Sequence, residues 1–195
     1  MDDRIAAGPT LPIVLIGPMG AGKTTLSRAL SEAVGVPYAP LDWVGFHAMV
    51  RDGLDVRAYE ADETWADKHR RRMPHLIAAV EDAIRSFPEF LLDFGAGHAH
   101  FETEDEQARL RSVLGPLPNV FLVMPCADPA EAEAICLARD KARWAKAGHE
   151  WDATRAPYHR AFVRSEAFRE VAKHTVLTEG RSVQDCVAEM LASLR

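Results

Sequence analysis

Apolar positions along this 195-residue chain fall into two kinds of pattern: short continuous runs, and longer stretches where they recur every third or fourth residue. The runs Ile13 to Ile16 (IVLI), Phe90 to Leu92, Asn119 to Met124 (NVFLVM) and His174 to Thr178 (HTVLT) have the length and β-branched content of buried strands. Tyr38 to Leu41 predicts another, made short and irregular by Pro37 and Pro40. Helical spacing appears at Leu26, Leu30 and Ala33/Val34, and again at Leu76, Ile77, Val80, Ala83, Ile84 and Phe87. It returns at Leu110, Val113 and Leu114, and at Val183, Cys186, Val187, Met190, Leu191 and Leu194. A further helix is predicted over about 158–173.

Punctuation residues sharpen these limits. Gly35-Val36-Pro37 stops the first helix, Thr103 and Glu106 form a capping box, and Ser182 caps the last helix. Asp128-Pro129-Ala130-Glu131 combines an N-cap acid, a proline at the first helical position and a glutamate at the third, opening a helix that runs into Arg139-Asp140-Lys141-Ala142-Arg143. Residues 43–60 have mixed periodicity and predict short helical pieces covering one side of a pocket. Strands alternating with helices imply an α/β fold, a parallel sheet covered on both faces.

The first strand runs straight into chemistry. Gly17-Pro18-Met19-Gly20-Ala21-Gly22-Lys23-Thr24 fits G-x-x-x-x-G-K-[ST], with a strand before it and a helix after it. Glycines at these spacings let backbone N–H groups turn in on a phosphate, and the helix N-terminus adds partial positive charge. Gly17, Met19, Gly20, Ala21, Gly22, Lys23, Thr24 and Thr25 are therefore the candidate cofactor-binding set. Lys23 would bridge the β- and γ-phosphates and Thr24 would offer its hydroxyl to Mg²⁺. The expected cofactors are ATP and Mg²⁺.

Composition narrows the class. With 48% hydrophobic and 27% charged residues the chain suits one P-loop domain over 1–195, and a net charge of −6 argues against a general nucleic-acid binder. No apolar run approaches a membrane span, and MDDRIAAGPT lacks the pattern of a secretory leader, so a cytoplasmic setting is expected. Cys126, Cys136 and Cys186 are odd in number and widely spaced, which reads as reduced structural thiols. The polar stretch Trp144 to Pro157 would suit a mobile cover over the phosphates.

Two acids follow predicted strands, where ligands bind in open α/β sheets: Asp42 and Asp93. An acid closing a buried strand such as Phe90-Leu91-Leu92 is what a Walker B position supplies, which makes Asp93 a candidate metal-side ligand with Thr24; a turn or capping acid is the alternative.

Four stretches resemble the shikimate kinase family of small P-loop kinases: GPMGAGKTTLSRALSEAVGVP, LLDFGAG, the basic stretch ending at Arg72, and RSEAFREVAKHTVLTEGRSVQDCVAEML. The resemblance implies a five-stranded parallel sheet in the order 2-3-1-4-5, a substrate-side helical region over about 43–72 and a lid over about 139–157. It also implies an ATP-dependent kinase acting on a hydroxyl of a small, anionic metabolite, working as a monomer or homodimer, with no membrane or nucleic-acid partner.

Carried residue by residue, the resemblance places Asp42 on the acid that faces the acceptor hydroxyl, while Pro40 stands where the family's magnesium-side acid would be. The substrate side would comprise Asp42, one of Arg70, Arg71 and Arg72 with Arg71 chosen, Gly95, Ala96, Gly97, His98 and Arg164. His98 would contact the acceptor, serve as a secondary base, or be an ordinary loop histidine; His98 and His100 lack companions for a metal site. Arg139 and Arg143 would be lid arginines stabilising the transferring phosphoryl group, or else a solvent-facing helix pair. Arg181 would pack on the adenine. The expected catalytic set is Lys23, Asp42, Arg139 and Arg143. Alternatives are a phosphotransferase for a sugar acid, nucleoside or antibiotic hydroxyl, and a non-kinase ATP-binding switch protein.

Overall fold

The structure, a computed structural model, describes residues 8–195. Residues 1–7, on which the expectation of no leader partly rests, lie outside the described residues.

Five parallel strands form one sheet: β1 (Ile13–Ile16), β2 (Tyr38–Pro40), β3 (Leu91–Asp93), β4 (Val120–Met124) and β5 (His174–Leu177), in the spatial order β2-β3-β1-β4-β5. This is the expected order. β1, β3 and β4 are buried throughout, which explains why they read as unbroken apolar runs. β2 lies at the edge and is three residues long; there Pro40 removes no ladder hydrogen bond that an inner strand would need.

The helices are α1 (Lys23–Val34), α2 (Leu41–Arg51), α3 (Val56–Ala61), α4 (Trp65–Ser86), α5 (Glu104–Leu114), α6 (Pro129–Lys146), α7 (Ala156–Val163), α8 (Glu166–Val171) and α9 (Val183–Ser193). α1 packs on α9, α4 on α2 and α5, and α6 on α7. The capping signals act as read: Thr103 accepts from the Glu106 N–H, Asp128 from those of Ala130 and Glu131, and Ser182 from that of Asp185. Residues 43–60 fold as the rest of α2 followed by α3, with Gly53 at φ 103° in the turn between them.

One expected helix is broken. The stretch 158–173 divides into α7 and α8 because the buried Ser165 turns its hydroxyl onto the Phe168 N–H, starting a new helix where the old one would have continued. Among the described residues no helix is long and apolar enough to cross a membrane, and the three cysteines are free.

Candidate active site

The carboxyl ends of β1, β3 and β4 open onto a cleft of about 690 Å³. Its floor is the loop after β1, which turns through Gly17, Gly20 and Gly22 at φ 140°, 80° and 103°, conformations that side chains with a Cβ adopt only under strain. At Gly17 a Cβ would also overlap the Val123 carbonyl of β4, and at Gly20 the Cys136 carbonyl of α6, so the loop is seated directly against both elements. Lys23 is buried and donates its ammonium to the carbonyls of Gly17 (2.8 Å) and Pro18 (2.9 Å). Burial pushes its pKa down, with Asp93 and Asp42 pulling the other way. Thr178, after β5, donates to the Ala21 carbonyl at 3.1 Å and accepts from Arg139 at 3.2 Å, tying the loop to α6.

Asp93 closes β3 at 6% exposure, in register with Leu15 of β1 and Pro40 of β2. Its Oδ2 accepts from the Thr24 hydroxyl at 2.7 Å and from the Tyr38 hydroxyl at 3.1 Å. Burial raises the Asp93 pKa, opposed by Lys23 and by these two hydrogen bonds. Tyr38 is pushed up to about 12, by burial first and by the neighbouring Asp93 charge second. A carboxylate and a hydroxyl side by side at the phosphate loop form an all-oxygen donor set. That fits Mg²⁺, which takes few protein ligands and completes its shell with phosphate and water. Among the described residues no cluster of three or more His, Cys, Asp or Glu builds an all-protein metal cage.

Across the cleft, Asp42 lies in the first turn of α2, its side chain 66% exposed. The His98 Nδ1 stands 3.6 Å from the Asp42 carboxylate and 3.3 Å from the Gly95 carbonyl. Gly95 and Gly97 leave room for side chains that arrive from other elements. A Cβ on Gly95 would stand 2.8 Å from the Asp42 Cγ and 2.9 Å from His98 Nδ1, and one on Gly97 would stand 2.7 Å from His69 Cε1. Burial holds His98 down to about 4 and His69 down to about 3, so both rings are neutral near pH 7. His100 turns away to Ser165 Oγ at 3.0 Å and makes no pair with His98.

Of the expected set, Met19, Gly20, Ala21, Gly22, Lys23, Thr24, Thr25, Asp42, Asp93, Gly95, Ala96, Gly97, His98, Arg139, Arg143 and Arg181 line this one cleft, with Gly17 forming the turn beneath it. Two of the expected residues lie outside it. Arg71 does not line the cleft: its guanidinium makes a two-pronged pair with Asp62 at 2.7 and 2.9 Å on the outer side of α4, and Arg72 lines the cleft instead. The reason is helical rotation of about 100° per residue, which sends consecutive arginines in different directions. Trp65, His69, Arg72 and Leu76 all line the cleft, and their spacing of four, three and four was the available signal. Arg164 likewise stays outside, at the end of α7 with a half-exposed side chain 3.8 Å from Glu133, because the break at Ser165 points it away.

The arginine that does reach the cleft from this part of the chain is Arg155, absent from the sequence reading. It is 3% exposed, with its guanidinium carbon 4.9 Å from the Trp65 ring centre and 5.1 Å from that of Trp144. Its Nη2 lies 3.2 Å from Met19 Sδ in the phosphate loop, and its Nε donates to Asp140 at 2.9 Å. Asp140, fully buried in α6, also accepts from Arg143 (2.5 Å), Trp151 (2.9 Å) and His159 (3.1 Å). The expected lid is therefore fastened to α6 through one carboxylate.

No family model matches the chain. Among curated proteins it is 27% identical over 131 residues to a shikimate kinase of Psychrobacter arcticus, covering 67% of this chain and 61% of that one. It is also 30% identical over 141 residues to Lon protease 2 of Thermus thermophilus, covering 70% of this chain but only 16% of the protease. Among solved structures, shikimate kinase from Acinetobacter baumannii in complex with shikimate superposes with a TM-score of 0.59 at 24% identity, over 94% of this chain and 92% of that one. The fold is that of the shikimate kinase-like small P-loop kinases. A gluconokinase from Sinorhizobium meliloti shares it, with a TM-score of 0.54 at 19% identity over 96% and 93% of the two chains. In this chain Pro40 lies opposite Asp93, His98 stands beside Asp42, and Arg155 lines the cleft.

Proposed function

We propose that this chain is an ATP- and Mg²⁺-dependent phosphotransferase that phosphorylates a hydroxyl of a small anionic metabolite. The observation that carries this reading is that Lys23, Thr24 and Asp93 at one end and Asp42 at the other line the same cleft. Lys23 and the loop amides hold the donor phosphates, while Arg139 and Arg143 counter charge on the transferring group. Thr24 and Asp93 are the residues to hold Mg²⁺, whose charge would offset that of the β- and γ-phosphates. Asp42 orients the acceptor hydroxyl and takes its proton as the bond from the acceptor oxygen to phosphorus forms and the bond to ADP breaks. Arg72 gives the acceptor side a positive charge, which favours an anionic acceptor. In this reading residues 43–72 act as the substrate side, 139–157 as the lid, and Arg181, which lines the cleft, meets the base. A cytoplasmic setting belongs to the same proposal, supported by the use of ATP and by three unpaired thiols.

The acceptor is best sought by screening hydroxylated metabolites with labelled ATP, shikimate and gluconate included. Transfer of label to a small molecule is the expected result. Lys23→Ala should abolish turnover, and Asp42→Asn should spare ATP binding while removing transfer; full transfer by Asp42→Asn would refute the role given to Asp42. The similarity to Lon protease 2 supports a second reading, an ATP-driven switch acting on a protein partner. ATP consumption that rises with a protein partner and never labels a small molecule would favour it.

A further inference from the structure

The register of β2 against β3 sets Pro40 directly opposite Asp93, so the neighbouring strand offers no acid or hydroxyl at the position facing that carboxylate. Two residues earlier, on the same face of the same strand, stands Tyr38. Its hydroxyl reaches across to donate to Asp93 Oδ2 at 3.1 Å, the same oxygen that accepts from Thr24 at 2.7 Å. Arg28 of α1 lies over the tyrosine ring, 5.8 Å from its centre. Both hydrogen bonds converge on Oδ2, and among the described residues no side-chain hydrogen bond falls on Oδ1.

We propose that Tyr38 is a positioning residue for the divalent-cation site, holding Asp93 by its Oδ2 so that the carboxylate would be kept in one orientation with Oδ1 left to serve the ion. In a site with one carboxylate, the orientation of that carboxylate decides whether the ion is captured. A phenol on the neighbouring strand then does by hydrogen bonding what a second acid would do by charge. Partners that orient a metal ligand in this way typically change metal affinity by about 10- to 100-fold when removed.

This rests on the reading of the cleft as a Mg²⁺-nucleotide site, and the test separates the two. Mn²⁺ serves as a paramagnetic probe for Mg²⁺, with its binding measured by electron paramagnetic resonance in the presence of ADP, and ADP affinity measured separately in metal-free buffer. Tyr38→Phe keeps the ring and removes only the hydroxyl. The expected result is at least about tenfold weaker Mn²⁺ binding with ADP affinity in chelator unchanged. Mn²⁺ affinity equal to that of the wild type, with ADP still bound, would overturn the role of Tyr38 alone. A wild-type protein that binds neither ADP nor Mn²⁺ would overturn this inference together with the reading beneath it.

Discussion

Asp140→Asn is the substitution whose consequence the structure specifies most closely. Asp140 is fully buried in α6 and accepts hydrogen bonds from Arg143, Trp151, Arg155 and His159, which come from α6 itself, the 147–155 segment and α7. Asparagine has nearly the same shape but no charge, and its amide turns a donor toward groups that are themselves donors. Arg155, only 3% exposed, is left without its counter-charge. Removing one member of a buried ion pair costs about 3–5 kcal/mol. We take the lower end, about 3 kcal/mol, because the asparagine oxygen still accepts. At roughly 2–4 °C per kcal/mol for a chain of this size, the melting temperature should fall by about 6–12 °C at pH 7.

The pH dependence supplies a second check. Burial alone would raise the Asp140 pKa, but hydrogen bonds from His159, Trp151 and Arg155 outweigh it and hold the carboxyl below the ordinary carboxylate range. A depressed folded-state pKa stabilises fully above the unfolded value, about 3.9, and the stabilisation is lost as pH falls below it. The gap between wild type and Asp140→Asn should therefore be widest near neutrality and narrow below about pH 4. Thermal and urea denaturation of both proteins at pH 7 and pH 3 measure it. A gap under about 1 kcal/mol at pH 7, or one that widens in acid, would refute the reasoning, since either means that Asp140 is not a compensated buried charge.

Gly95→Ala should leave ADP affinity intact but cut phosphoryl transfer by about 100-fold. Its Cβ intrudes on the exposed Asp42 carboxylate and displaces it by the order of an ångström; steady-state turnover and calorimetry separate the two effects. Arg72→Ala should raise the acceptor KM at least about tenfold, whereas Arg71→Ala, which loses only an exposed pair with Asp62, should leave kinetics unchanged and stability within about 1 kcal/mol. His69 and His98 are held to about 3 and 4 by burial, so the unfolded state takes up protons first as pH falls below about 6.5. Stability should decline from there toward pH 4, by up to about 1.4 kcal/mol per pH unit for each histidine. His69→Phe, which keeps the stack on Trp65 and removes that residue's titration, should make the decline shallower in urea midpoints measured across the range, leaving the share of His98.

The sequence by itself determined what local geometry can carry. Continuous apolar runs marked the inner strands because strands buried on both faces need apolar residues at every position, and capping residues marked helix starts because they bind N–H groups within three residues. The phosphate loop was legible for the same reason, its glycines answering to positive φ values within one turn of chain. The helical spacing of Trp65, His69, Arg72 and Leu76 puts Arg72 on one stripe of α4, but only the tertiary structure decided that this stripe is the one that faces the cleft. Only it revealed Asp140, which reads between Arg139 and Arg143 as one more charge on a solvated helix. Its burial is tolerated because Trp151, Arg155 and His159 return along the chain to meet it. The same holds for Gly95 and Gly97, which are small because Asp42 and His69 arrive there from distant elements. A backbone conformation is chosen by a few neighbouring residues, but the burial of a charge or the need for an absent Cβ depends on partners that only folding brings together.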